Sequence, residues 1–307
     1  MLVDKKLIES NKKIDKIFRR LFLTMAIISG SFIVIIVIFV FEKGISPFLP
    51  GYEFGTQSIW NFLTGMIYRQ DQAIYGVGFI VINTLLCCLL ALILSFPMSV
   101  LTALFIVKIA PKHLSSFMQT IVELLASVPS IVYGLFAAGV INSLVKNWAS
   151  YLGFSTFGGS SFLSVIILLA IMIFPVFTSM SISAIKAVDY DLEQASLALG
   201  ATPTQTNFKV VLTAAKSGIF AGAILGLGRA FGEATAVSMV AGNKLFGPTV
   251  DPFDITRTLT STMLAGLKET TGLDYDIRFS VGVVLMLVIF LSNFILNLLK
   301  KRIGNQI

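Results

Sequence analysis

Charge is scarce in this chain. Asp, Glu, Lys and Arg make up 13% of its 307 residues, about half the share of an ordinary globular domain. Apolar types reach 56%, and mean hydropathy is +0.89. So few charges cannot cover a globule of this size with hydrated surface, which excludes a soluble protein and leaves lipid around most of the exterior. Histidine occurs once, as His113, beside Lys112 and without Cys, Asp or Glu at ligand spacing, so neither a metal centre nor a histidine-based triad is expected. The two cysteines, Cys87 and Cys88, are adjacent in an apolar run, poorly placed for a mutual disulfide, and read as packing residues.

Catalytic motifs are missing as well. The chain has no GxxxxGK[ST], GxSxG or HExxH, so it has neither a P-loop for ATP nor the common hydrolase and zinc-protease sites. The run Gly226-Leu227-Gly228-Arg229-Ala230-Phe231-Gly232 imitates a dinucleotide loop but has one residue too many before its last Gly and no preceding strand. The expectation is a non-enzyme with no cofactor and no metal ion.

What the chain has is long apolar runs. A helix crosses a bilayer core with roughly 20 apolar residues, and six such runs are present: Leu21 to Phe41, Gly78 to Val107, Thr120 to Ile141, Phe162 to Ile185, Val210 to Val240 and Phe279 to Leu299. The predicted fold class is all-α, a polytopic membrane protein with six transmembrane helices. Pro97, Pro129 and Pro175 fall in or near these runs, so the helices are expected to pack on one another, where neighbouring protein compensates for the missing backbone donors. The first run is too long for a signal peptide and is followed by Glu42-Lys43 without a cleavage pattern, so it reads as a permanent helix.

Lys and Arg set the orientation. Fifteen lie on the side of residues 1–20, the 108–119 loop, the 186–216 region and the tail; seven lie on the other side, with eight acids. The richer side is predicted to be cytoplasmic, with both termini inside, as an even number of spans requires. The organisation that follows is a basic segment 1–20, a first helix 21–41, an extracytoplasmic loop 42–77, a core 78–299 and a tail 300–307. Within the core lie a cytoplasmic loop at about 188–208 and an outer loop at about 241–278. Trp60, Tyr68, Tyr75, Phe246 and Phe253 in the outer loops are candidates for interfacial anchors or for contacts with an external partner.

Two places depart from membrane rules. Arg229 and Glu233 are the charges well inside a span, where an ionisable group costs about 2.5 to 3.5 kcal/mol even on permissive scales. Their i, i+4 spacing predicts that they can pair on one helical face. Gly218, Gly222 and Gly226 share that sector, a small-residue face for close helix packing. Two readings stand side by side: an ion pair that locks helices, or a charged element in a solute path, where Arg supplies a planar donor fork for oxyanions. The second place is the stretch Asp189 to Pro203, a short amphipathic helix capped by Asp191 and ended by Gly200. It is placed either to connect two spans or to pass force between a soluble partner and the membrane.

These two stretches resemble a family. The loop is similar to the Glu-Ala-Ala motif of ABC-importer permeases, reading Gln194-Ala195-Ser196, then Gly200, then Val210-Val211-Leu212-Thr213. It departs from that pattern at Gln194, Ser196 and Thr213, and Glu193 lies one position early, where it can replace the missing acid. The run Gly226 to Asn243 resembles the fifth-span signature of PstC-type phosphate permeases, and Pro129-Ser130-Ile131-Val132-Tyr133-Gly134 resembles their third-span motif. The resemblance implies the MetI-like permease fold and import of inorganic phosphate. The partners it implies are a second, PstA-like permease subunit, two copies of an ATP-binding subunit and an extracytoplasmic phosphate-binding protein. It also implies transport roles for Arg229 and Glu233 and ATPase coupling through Glu193, Gln194, Ala195 and Gly200. Another oxyanion such as sulfate or molybdate, and an ATP-independent channel or ion-coupled carrier, are the competing readings.

Overall fold

A bilayer offers backbone groups no partner but their own helix, so apolar runs of membrane length fold as helices. The computed structural model describes residues 5–304. Its helices are α1 (Lys5–Ile45), α2 (Ile59–Thr64), α3 (Gly78–Leu104), α4 (Lys112–Ser127), α5 (Ser130–Phe136), α6 (Asn142–Tyr151), α7 (Phe162–Lys186), α8 (Tyr190–Ala198), α9 (Pro203–Gln205), α10 (Leu212–Gly232), α11 (Thr235–Val240), α12 (Leu259–Leu264) and α13 (Leu273–Gly304). Three π-helical turns extend them: Phe105–Ile109 after α3, Ala137–Ile141 between α5 and α6, and Thr206–Val211 before α10. A two-residue hairpin, β1 (Tyr68–Arg69) with β2 (Ile74–Tyr75), lies between α2 and α3.

Five helical stretches, Ile14–Phe48, Gly78–Ile109, Phe162–Lys186, Pro203–Gly232 and Leu273–Leu298, are long and apolar enough to cross a membrane. The sixth differs from the expected Thr120 to Ile141. Pro129 splits that run into α4 and a helix from Ser130 to Tyr151, bent from each other by 93°. Proline lacks a donor and forces the residue before it out of the helical region, and Val128 accordingly has φ −62° and ψ 129°. Left of the break, α4 carries Lys112, Ser116, Gln119, Thr120 and Glu123 and is amphipathic, so this stretch does not cross as one straight helix.

The core forms where α7 packs between α3 and α10; most of its buried side chains are apolar, and Ser95 and Ser99 of α3 and Thr178 and Ser181 of α7 are buried with them. Pro97 and Pro175 stay inside continuous helices. Beside Pro175, the Phe174 carbonyl accepts from Thr178 Oγ1 at 2.7 Å and from Ser99 Oγ of α3 at 3.3 Å. Cys87 and Cys88 are buried in α3 and not bonded to each other. At the end of the bundle away from α8, a second apolar cluster joins Phe62, Tyr68, Tyr75, Phe79 and Ile277. Tyr68, Tyr75 and Phe253 are therefore packing residues, whereas Trp60 and Phe246 remain exposed. Two tyrosines tie the first long loop to the acidic start of α13: Tyr52 donates to Asp276 at 2.7 Å, and Tyr75 donates to Asp274. Burial first, then the neighbouring carboxylate, raises the pKa of both phenols, so both stay protonated donors.

Candidate functional site: a broken fifth span and a clasped loop helix

The fifth span does not run through to Val240. It stops at Gly232, Glu233 turns extended with φ −78° and ψ 110°, and α11 begins at Thr235. The break is held by polar contacts. Glu233 Oε1 accepts from the Ala236 backbone N–H at 3.0 Å, capping the free donors that open α11, and Thr260 Oγ1 donates to the Glu233 carbonyl at 2.8 Å. Glu233 is 9% exposed.

This geometry overturns the i, i+4 pairing of Arg229 with Glu233. That spacing brings side chains together only while the helix continues, and here it ends between them. Among the described residues the ion pairs are Lys43–Asp276, Lys108–Glu193 and Lys244–Asp254, and Arg229 is in none of them. Arg229 is half-buried.

One side of α10 lies against α7. A Cβ added at Gly218 would come within 2.6 Å of Ala184 Cβ, one at Gly222 within 2.8 Å of Met180 Cβ, and one at Gly226 within 2.9 Å of Ile173 Cγ2. Only glycine permits this approach. Gly228 and Gly232 are the opposite case, with open space where a side chain would be. A pocket of about 380 Å³ lies against the break, bordered by Gly232, Ala234, Thr260, Arg278, Phe279 and Leu285.

Two cations near the break were counted in the sequence only as loop charges. Arg257 is 5% and Arg278 2% exposed. Arg257 stacks over the Tyr68 ring at 4.5 Å and donates to Thr262 Oγ1 at 3.1 Å. Burial, with the like charge of Arg278 adding to it, holds its pKa below the usual value. Arg278 donates to the carbonyls of Thr262 at 3.2 Å, Met263 at 3.3 Å and Ala265, closing the C-terminal end of α12. The hydroxyl-rich run from Thr256 to Thr262 was the available signal, since a buried guanidinium needs oxygen acceptors.

At the other end of the bundle, α8 begins where Asp189 Oδ1 accepts from the Asp191 N–H at 3.0 Å. The cap is thus Asp189, two residues before the expected Asp191. Gly200, at φ +85°, turns the chain out of α8, and Thr202 with Gln205 forms a capping box for the next turn. Gln194 and Ala195 are exposed, and Leu199 is 90% exposed. Glu193 is turned inward and bonds Lys108.

Comparison with known proteins places this architecture. Residues 95–305 match the family described as binding-protein-dependent transport system inner membrane component. The probable ABC transporter permease protein YqgH of Bacillus subtilis is 32% identical, with 98% of this chain and 97% of that protein covered. The phosphate transport system permease protein PstC of Pasteurella multocida is 30% identical, with 80% and 82% covered. The fold is similar to that of a bacterial ABC transporter importing alginate (TM-score 0.62, 21% identity, 94% of this chain and 99% of that one). It is also similar to the MetNI methionine transporter (TM-score 0.57, 19% identity, 73% and 94%). The chain belongs to the inner-membrane components of binding-protein-dependent transport systems: it is a multi-pass permease subunit of an ABC importer, a translocation component and not an enzyme, that works with ATPase subunits and a substrate-binding protein.

Proposed function

We propose that this subunit forms half of the membrane path of an ATP-driven importer of inorganic phosphate. The observation that carries the reading is Arg229: a half-buried arginine with no acidic partner among the described residues, beside the open positions Gly228 and Gly232 at a break in the fifth span. A planar donor fork suits a tetrahedral oxyanion. An unneutralised cation at a helix break is also a place where an anion gains a contact without being held for long. The several PstC phosphate permeases similar to this chain, at 28 to 30% identity over most of its length, support phosphate over sulfate or molybdate.

Glu233, in this reading, fixes the break that presents Arg229 and does not itself bind the anion. Gly218, Gly222 and Gly226 keep α10 seated on α7. Both termini and α8 face the cytoplasm, following the fifteen-to-seven distribution of Lys and Arg. There Gln194, Ala195 and the turn at Gly200 meet one of two ATPase copies, and a PstA-like subunit supplies the other half of the path. The test is uptake by proteoliposomes that hold the complete transporter and its binding protein. ATP-dependent entry of radiolabelled phosphate, not displaced by sulfate or molybdate, is expected. Uptake of either competitor in preference to phosphate overturns the assignment.

A further inference from the structure

α8 is joined to the membrane core by two inward side chains one helical turn apart, and each ends on a π turn. Glu193 bonds Lys108, inside the π turn Phe105–Ile109 that ends α3. Ser196 Oγ and Thr206 Oγ1 lie 2.9 Å apart, and Thr206 opens the π turn Thr206–Val211 that leads into α10. The i, i+3 spacing places Glu193 and Ser196 on one face, while Gln194 and Ala195 stay exposed on the rest of the helix.

The ion pair is not an ordinary surface contact. The Lys108 and Glu193 side chains are 18% and 13% exposed, so water screens them little and their geometry is held. A π turn carries one residue more than an α turn needs and often marks a functional site in a helix. Such a turn can tighten or widen without breaking the helix it is joined to. A pull on α8 therefore has a stiff route, through a charged hydrogen bond, into a part of α3 that can yield.

We propose that Lys108 and Glu193 form a strut that carries displacement of α8 into the second span, with Ser196 and Thr206 as the matching contact to the fifth. This rests on the orientation and ATPase contact proposed above, and it gives Glu193 a partner within the chain in place of one on the ATPase. Both are positioning residues.

The experiment uses the complete reconstituted transporter with Lys108→Glu, Glu193→Lys and the double reversal. It reads ATPase co-purification, basal hydrolysis, stimulation by phosphate-loaded binding protein, and ATP-dependent maleimide labelling of an Ile109→Cys reporter at an exposed position beside the strut. Each single reversal is expected to keep the ATPase and basal hydrolysis but to lose about fivefold or more of the stimulation and of the labelling change, and the double reversal to restore both. Singles with wild-type stimulation and labelling overturn the strut, as does a double reversal as defective as the singles. Should the single reversals fail to assemble, Lys108→Met with Glu193→Leu leaves no enclosed charge; it is expected to keep basal hydrolysis and lose stimulation, and wild-type stimulation in it overturns the proposal. Failure of the phosphate reading is seen separately, as no stimulation of the wild type by phosphate-loaded protein, while ATP-dependent labelling at position 109 still reports the strut.

Discussion

Thr260 and Glu233 are joined by a hydrogen bond across 27 positions, from the Thr260 hydroxyl to the Glu233 carbonyl at 2.8 Å. That carbonyl has left the ladder of α10, and Thr260 is its partner from α12. Thr260→Val removes the donor at constant shape and is expected to cost about 1 to 3 kcal/mol, read as a lower melting temperature in detergent. Thr260→Ser keeps the hydroxyl and is expected to melt close to wild type.

Glu233 holds the break through Ala236 and Thr260 and does not pair with Arg229, so variants of the two should separate. Glu233→Gln keeps an oxygen for the Ala236 N–H and is expected to fold and transport; Glu233→Ala loses the cap, at about 0.5 to 2 kcal/mol. Arg229→Lys is expected to fold normally and to lose phosphate uptake about tenfold or more, equivalent to roughly 1.4 kcal/mol, because an ammonium lacks the planar fork. Near wild-type uptake by a well-folded Arg229→Met variant would remove Arg229 from the path.

The two kinds of glycine on α10 give opposite expectations. At Gly222 an added methyl meets Met180 Cβ at 2.8 Å and the Phe177 ring at 3.2 Å, so Gly222→Ala should destabilise by about 1 to 3 kcal/mol through overpacking. Gly228→Ala enters open space and should leave the melting temperature unchanged or raised.

Gly200 has room for a side chain but not the backbone for one. At φ +85° an L-residue pays about 1 to 2 kcal/mol, and Asn accepts such a conformation better than Leu. Gly200→Leu is expected to insert normally while losing the ATPase or uncoupling it, and Gly200→Asn to retain most uptake. Normal ATPase yield together with normal uptake in Gly200→Leu counts against the docking role.

Orientation has a direct check. Val250, 78% exposed, lies in the loop predicted to be outside, and Lys12 is exposed near the amino terminus. A Val250→Cys variant should react with an impermeant maleimide in intact cells, and Lys12→Cys only after permeabilisation. Cys87 and Cys88 are buried and should give little background.

The membrane class and most span positions were legible because hydropathy over 20 residues is a local property. The fifth-span break was not. Gly232-Glu233-Ala234-Thr235 contains no proline, and the chain leaves the helix there because Thr260 and the Ala236 N–H take up groups that the helix gives up. The carboxylate three residues before a backbone donor was a readable capping signal, but i, i+4 spacing with Arg229 offered a competing one. Pro129 was visible, and placing the third span across it set aside the backbone rule that decides the bend. Lys108 and Glu193, 85 positions apart, have no local signal at all.

The first helix meets the last. α1 rests on α13, where Gly44 lets Phe279 and Val283 approach and Ser280 donates to the Gly44 carbonyl at 2.7 Å across 236 positions. During synthesis α1 therefore enters the bilayer long before its companion exists. Its exposed apolar surface from Leu21 to Phe39 suits it to lipid in the meantime. Arrival of α13 then supplies the contacts at Gly44, so truncation anywhere before Ser280 is expected to leave α1 without them.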